Sequence, residues 1–186
     1  PWLAREPGAP PVILAVGRLT EQKGFATLLE AFDHVRRERD ARLIILGEGP
    51  ERAALQGHAE RLGVSEHLDL AGFQANPYPW MARAQLLVLS SRYEGSPNVL
   101  VEAMALGTPV VATDCPSGPA EILHGGRLGS LVPVGDHQAM ADAIEATLRA
   151  PPAPDTLRQA VEAHRLPVAA RRYLTALGYR VQSPEP

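Results

Sequence analysis

The sequence predicts an α/β fold, built on a single doubly wound parallel sheet of about six strands. Two observations lead to this fold class. Short apolar runs of strand length recur along the chain, and segments with apolar residues at helical spacing alternate with them. Strands that alternate with helices form parallel sheets covered on both faces. With 186 residues, the chain is long enough to bury such a core.

The six predicted strands are short, mostly apolar segments bounded by Gly, Pro or polar residues. In chain order they are VILAVG (12–17), RLIILG (42–47), HLDLAGF (67–73), QLLVLSS (85–91), TPVVAT (108–113) and GSLVPV (129–134).

The predicted helices follow these strands and carry an apolar stripe or a start or stop signal. They are GFATLLEAFDHVRRERD (24–40), a helix that Pro50 starts and Gly63 stops, PYPWMARA (77–84), SPNVLVEAMALG (96–107) and DHQAMADAIEATLRA (136–150). We expect three regions: a linker remnant (1–11), a sheet domain (12–149), and a Pro-rich joint with one or two terminal helices and a fraying tail (150–186).

The composition narrows the classes of function. Hydrophobic residues make up 45% and charged residues 21%, the net charge is -3, and no Lys/Arg block stands out, so we expect no nucleic-acid partner. The sequence shows no signal peptide and no apolar run near the roughly 20 residues of a spanning helix, so we expect a cytoplasmic protein. The lone Cys115 fits a reducing compartment, and we expect a buried, inert thiol there.

Open α/β sheets bind ligands beyond the carboxyl ends of their strands. The loop after the first strand, GRLTEQKGF, has neither the G-x-G-x-x-G pattern of dinucleotide binding nor a G-x-x-x-x-G-K-[ST] phosphate loop. It does carry two cations, Arg18 and Lys23, and Lys23 is the only lysine among 18 basic residues. These cations could hold a diphosphate or could be solvated loop charges, and spacing alone favours neither.

The loop after the fourth strand contains the segment EGSPNVLVE, Glu94 to Glu102. Ser96 is predicted to cap a helix whose first residue is Pro97, because proline suits that position. A helix that starts there leaves the amides of Asn98, Val99 and Leu100 free, and free amides at a helix start favour an anion such as phosphate.

The two glutamates lie on either side of this predicted anion site. Glu102 is expected about 7–8 Å along the helix from Pro97, half-buried among apolar neighbours and in need of a partner. The pair could equally be structural, with Glu102 bound to an arginine and Glu94 capping a turn. Their placement favours a ligand with a central pyrophosphate and a hydroxylated ring at each end, the layout of a sugar nucleotide.

Several motifs resemble the C-terminal half of retaining glycosyltransferases of family 4, the group 1 type. They are GRLTEQKGF, LGEGPER, SRYEGSPNVLVEAMALGTPVVATDCPSGPAEIL and GSLVPVGD, and the resemblance runs from about Val12 to Leu148. The E-x7-E element, Glu94 to Glu102, is that family's hallmark. The resemblance implies the GT-B architecture, in which two Rossmann-like domains face each other across a cleft and the C-terminal one holds the donor.

The resemblance also implies roles for individual residues. Arg18 and Lys23 would contact the donor diphosphate, Glu94 the hydroxyls of the transferred sugar, and Glu102 the ribose. Glu94, Arg18 and Lys23 are thus the expected catalytic residues, with Glu94 orienting rather than attacking. The remaining expected donor-binding residues are Gly17, Phe73 at the nucleobase, Gly95, Ser96, Asn98, Val99 and Leu100.

Taken together, the resemblance implies the donor-binding half of an enzyme that transfers a hexose or N-acetylhexosamine from a UDP-sugar to a glycan or glycoconjugate, with retention and without metal or other cofactor. We expect the acceptor-binding N-terminal domain to be missing and the chain alone to be inactive. The full enzyme's acceptor would be membrane-associated, at the inner face. The alternatives are a stand-alone nucleotide-sugar-binding module and, ranked lower, another GT-B enzyme such as an epimerase.

Overall fold

The structure, a computed structural model, describes residues 8–164 and 166–177, without the side chains of 166, 167, 171 and 172. Six strands alternate with helices along the described chain: β1 (Val12–Val16), β2 (Arg42–Leu46), β3 (Leu68–Gly72), β4 (Leu86–Leu89), β5 (Val110–Thr113) and β6 (Ser130–Val132). The helices are α1 (Phe25–Glu38), α2 (Arg52–Leu62), α3 (Tyr78–Met81), α4 (Asn98–Ala105), α5 (Pro119–Ile122), α6 (His137–Arg149), α7 (Pro154–Ala160) and α8 (Leu166–Ala176).

The six strands form one parallel sheet in the order β3-β2-β1-β4-β5-β6. The central β1 pairs with β2 on one side, with Ile13 opposite Leu43, and with β4 on the other, with Ile13 opposite Leu86. The direction of winding therefore reverses between β1 and β4. This reversal opens a crevice at the carboxyl ends of those two strands, where open α/β sheets bind ligands.

Both faces of the sheet are buried, as the unbroken apolar strands predict. Alternate residues of each strand point to opposite faces. Ile13 and Ile45 pack on one side with the apolar stripes of α1, α2 and α6, and Leu14 and Leu87 pack on the other with α3, α4 and α7.

The predicted fold class is confirmed, and all six predicted strands are present within one or two residues of their expected ends. Gly63 ends α2 in the left-handed conformation, as its stop signal predicts. Four short elements of the described residues were not predicted: α5 and the 3-10 turns Glu21–Lys23, Ser65–His67 and Glu162–His164. Each has only three or four residues, too few to show a helical period.

The predicted terminal helices are also present, and α7 belongs to the sheet's own core. Leu157 and Val161 are buried together with Leu100 and Met104 of α4. Arg158 also donates a hydrogen bond from Nη2 to the Leu106 carbonyl at the end of α4. The predicted linker remnant up to residue 7, and the tail beyond residue 177, lie outside the described residues. In the part that is described, no helix has the length and apolar content to cross a bilayer.

If α7 is part of the core, Leu157→Ala should lower the free energy of unfolding by about 2–5 kcal/mol, because it leaves a cavity beneath α4. Urea unfolding followed by circular dichroism measures this loss. The matched control is Gln159→Ala on the exposed face of the same helix, with an expected change within about 0.5 kcal/mol. Equal effects of the two substitutions would show that α7 does not support the domain.

Candidate functional site

Two loops meet at the crevice between β1 and β4, and the backbone of Gly24 makes their close approach possible. Gly24 has φ +63, and a Cβ on it would lie 2.1 Å from the carbonyl oxygen of Ser90. The Ser90 hydroxyl donates to the Lys23 carbonyl at 2.7 Å, and the Arg92 amide donates to the Gln22 carbonyl at 2.8 Å. The loop after β1 is thereby fastened to the loop after β4.

An ion pair joins the two loops inside the crevice. Lys23 Nζ lies 2.6 Å from Glu94 Oε1, and the two side chains are 20% and 7% exposed. The aliphatic part of Lys23 crosses Gly17, where a Cβ would lie 3.2 Å from Cδ and Cε of the lysine. Gly17, one of the expected donor-binding residues, thus leaves room for the lysine that reaches the glutamate.

Arg18 lies in the same loop as Lys23 and is exposed. No carboxylate among residues 8–164 and 166–177 forms an ion pair with it. Of the two expected diphosphate-binding cations, therefore, Lys23 already holds an internal partner and Arg18 keeps its charge toward solvent.

The start of α4 differs from the prediction in two ways. The helix begins at Asn98, and Pro97 precedes it with φ -78 and ψ 69. With the Asn98 amide donating to the Ser96 carbonyl at 2.9 Å, Pro97 is the centre of an inverse γ-turn. The expected Ser96 cap is wrong as well, because the Ser96 hydroxyl donates to Asn98 Oδ1 and caps no amide of the helix.

These contacts also correct the expectation of three free amides. The amide of Asn98 is used in the γ-turn, and that of Leu100 donates to the Pro97 carbonyl at 3.0 Å. The Leu100 side chain is fully buried in the core. Near this turn, the backbone amides of Gly95, Ser96 and Val99 donate no hydrogen bond within the described chain. Gly95, Ser96 and Asn98 are exposed, and Val99 is half-buried.

A third loop, after β5, holds this turn in place. A Cβ on Gly118, which has φ +102, would lie 2.4 Å from Cδ of Pro97, so the backbone of Gly118 is in close contact with the proline ring. Cys115 in the same loop is buried, as expected. Burial raises the pKa of the Cys115 thiol. A hydrogen bond with Thr113 lowers this pKa, and the nearby charge of Glu94 raises it, so the net shift is upward. The thiol form is therefore favoured at neutral pH.

Glu102, on α4, is half-buried as expected. Its side chain accepts no hydrogen bond and forms no ion pair in the described part of the chain, so the arginine partner of the structural alternative is not found there. Glu102 lies in the second turn of α4, and a half-buried carboxylate without a partner can accept a hydrogen bond from a ligand hydroxyl.

Phe73 follows β3 at the same carboxyl edge of the sheet, and its side chain is 76% exposed. An exposed aromatic ring on a turn offers a stacking surface. Gln74 stabilises the turn by donating from Nε2 to the Ala71 carbonyl.

Sequence reasoning missed the small polar residues that organise the charged ones. Ser90 and Ser91 at the tip of β4, and Thr113 at the end of β5, are buried and hydrogen-bonded around the Lys23–Glu94 pair. Their position directly after an apolar strand was the available signal. It is a weak signal, because small polar residues end many strands.

A parallel sheet wound in two directions, with charged and polar side chains gathered at its reversal point, defines a ligand-binding α/β domain of the Rossmann-like class. The chain belongs to the group 1 glycosyltransferases: the family model described as "Glycosyl transferases group 1" matches residues 10–150. Its fold is that of one domain of the GT-B architecture.

Individual relatives agree with this family. The chain is 41% identical over 139 residues to the lipopolysaccharide core biosynthesis glycosyltransferase LpsE of Rhizobium meliloti, covering 75% of this chain and 40% of that protein. Among solved structures, the lipopolysaccharide outer core galactosyltransferase WaaB superposes with a TM-score of 0.82 and 26% identity over 93% of this chain and 50% of that one. Anabaena HepE in complex with UDP gives a TM-score of 0.80 and 26% identity over 91% and 48% of the two chains. The chain thus spans two fifths to one half of these relatives.

Gly24→Ala should lower the free energy of unfolding by more than the cost of placing alanine in the left-handed region. The reason is that the added Cβ would clash with the Ser90 carbonyl. Gly63→Ala is the matched control, since Gly63 has φ +72 and nothing within 4 Å of an added Cβ. We expect a loss of about 1–2 kcal/mol for Gly63→Ala and at least about 1 kcal/mol more for Gly24→Ala, both measured by urea unfolding. Indistinguishable losses would argue against tight docking of the two loops.

Proposed function

We propose that this chain is the donor-binding half of a retaining glycosyltransferase and that it binds a nucleotide sugar in the crevice between β1 and β4. The observation that carries the proposal is the Lys23–Glu94 ion pair at the reversal point of the sheet. It places a cation suited to a diphosphate directly beside a carboxylate suited to sugar hydroxyls. Membership of the group 1 glycosyltransferases supports a transferase function.

The central part of the donor, its diphosphate, would be held by two cations and by backbone donors. Arg18, exposed in the loop after β1, can turn to a phosphate without giving up an ion pair to the described chain. Lys23 would share its charge between Glu94 and the phosphate. The unpaired amides of Gly95, Ser96 and Val99 supply neutral donors in the adjacent turn.

The two ends of the donor would be held by different groups. Glu94 would accept hydrogen bonds from the hydroxyls of the transferred sugar, and Glu102 from the ribose, because carboxylates are strong acceptors for hydroxyl groups. The exposed ring of Phe73 would stack against the nucleobase. This division follows the chain from β4 into α4 and gives Glu94 an orienting role instead of a nucleophilic one.

The proposed reaction breaks the bond between the sugar's anomeric carbon and the diphosphate, and forms one from that carbon to an acceptor hydroxyl on the same face. Because attack and departure occur on the same face, configuration would be retained, and the leaving diphosphate would take the proton of the acceptor hydroxyl. Arg18, Lys23 and the turn amides would stabilise the negative charge that develops on the leaving group. On this proposal the reaction needs no metal or other cofactor, and Glu94 orients the sugar.

For the donor we propose a UDP-hexose or UDP-N-acetylhexosamine, supported by the likeness to HepE, which was solved in complex with UDP. The acceptor is proposed to be a glycan or glycoconjugate associated with the cytoplasmic face of a membrane. A separate N-terminal domain would bind it, so this chain alone should transfer no sugar.

Isothermal titration with UDP, GDP and ADP tests the proposed site and its base preference. We expect UDP to bind with at least about tenfold lower Kd than GDP or ADP. Lys23→Met keeps the aliphatic stem over Gly17 and removes the charge. This variant should weaken UDP binding about tenfold or more. Tighter binding of GDP would change the donor assignment, and binding of none of the three would overturn the proposed function.

The two glutamates should respond differently to substitution. Glu102→Ala should weaken UDP and a UDP-sugar alike by about tenfold, because the ribose is common to both ligands. Glu94→Ala should leave UDP binding within about twofold and weaken only the UDP-sugar. Glu60→Ala, an exposed carboxylate on α2, is the control and should change neither. Equal losses for UDP in the Glu94 and Glu102 variants would contradict the assigned division.

A further inference from the structure

Two adjacent serines at the tip of β4 each fasten one member of the charged pair. Ser90 donates from Oγ to the backbone carbonyl of Lys23 at 2.7 Å, and Ser91 donates from Oγ to Glu94 Oε1 at 2.6 Å. Both serines are buried, with 3% and 0% of their surface exposed. The two hydroxyls therefore have different partners: that of Ser90 binds the loop after β1, and that of Ser91 binds Glu94.

The hydrogen bonds at Glu94 distinguish its two carboxylate oxygens. Lys23 Nζ and Ser91 Oγ both bind Oε1, each at 2.6 Å. Oε2 accepts no hydrogen bond in the described part of the chain, yet it is not among the fully buried unpartnered atoms of those residues. Oε1 is therefore the anchored oxygen, and Oε2 is the one available to a ligand.

The backbone of Ser91 is itself held by a hydrogen bond from the neighbouring strand β5. The Thr113 hydroxyl at the end of β5 donates to the Ser91 carbonyl at 2.6 Å, and Thr113 is fully buried. The series Thr113, Ser91, Glu94 thus runs from the sheet core to the crevice. If Lys23 shared its charge with a diphosphate, the hydroxyl of Ser91 would be the donor committed to Oε1 alone.

We propose that Ser91 is a positioning residue for Glu94 and that it sets the preference for a nucleotide sugar over the bare nucleoside diphosphate. This inference rests on the proposed function. Ser91 reaches the donor only through Glu94: its hydroxyl fixes Oε1, so that Oε2 meets the sugar hydroxyls with its orientation already set. A purely structural role, in which Ser91 only stabilises the loop, would affect both ligands to the same extent.

Titration calorimetry on the whole chain separates the two roles. The ligands are UDP and whichever of UDP-glucose, UDP-galactose and UDP-N-acetylglucosamine binds the wild type most tightly. Ser91→Ala should raise the Kd of the UDP-sugar about tenfold, because a charge-assisted hydrogen bond is lost, and change that of UDP less than twofold. Ser90→Ala is the matched control: it loosens Lys23 and should weaken both ligands equally.

A double-substitution cycle tests whether Ser91 acts through Glu94. In a Glu94→Ala background, Ser91→Ala should change the Kd of the UDP-sugar less than twofold, because the carboxylate it positions is gone. If Ser91→Ala does not fold, Ser91→Cys keeps the size with a weaker donor and should show a loss of about threefold, confined to the UDP-sugar.

The outcomes distinguish this inference from the proposed function. Equal losses for UDP and the UDP-sugar on Ser91 substitution, or a tenfold loss that persists without Glu94, overturn the role of Ser91 alone. A wild type that binds none of the four ligands overturns both.

Discussion

The pairing of β1 with β4 is the contact on which the site depends. It sets Ile13 against Leu86 and Leu14 against Leu87, and reverses the direction in which the sheet is wound. Because the two strands are parallel, their following loops leave the sheet at the same edge. Lys23 and Glu94, 71 positions apart in sequence, meet there at 2.6 Å. A slip of one residue in this register would turn the side chains of β4 to the wrong faces and separate the pair.

The charged pair itself is not what holds the domain together. A largely buried ion pair contributes little net free energy, since the desolvation of both charges offsets most of their attraction. The stability comes from the apolar layers on both sides of the sheet, to which α7 adds Leu157. Ser91 and Lys23 instead compensate the desolvation of Glu94, whose side chain is 7% exposed. The core therefore supports a crevice whose polar groups can change partners without unfolding the domain.

The sequence was sufficient for the fold and for the two loops that carry Lys23 and Glu94 to the crevice, and insufficient for the contacts of these residues. Apolar runs fix strand positions because burial on both faces leaves little freedom in β1 or β4. The ion pair between Lys23 and Glu94 could not be predicted, since it depends on the strand order and on the 3-10 turn that begins at Glu21. The hydroxyl of Ser91 was overlooked because a serine after a strand has many uses, and only the geometry shows which carboxylate it binds.

The incorrect prediction at Pro97 is physically the most instructive. Proline fixes φ near the helical value but leaves ψ free, and at Pro97 ψ is 69 instead of helical. The contact between Gly118 and the Pro97 ring accompanies this turn. In this turn the Asn98 amide donates to the Ser96 carbonyl. The free amide donors therefore lie mainly before the helix, at Gly95 and Ser96. An anion in this crevice would therefore be recognised by a loop and two cations, with the dipole of α4 in a secondary role. A loop can adjust to a ligand's charge and shape more readily than a helix end. That would suit the proposed function, in which the site releases a diphosphate after holding it as part of a sugar donor.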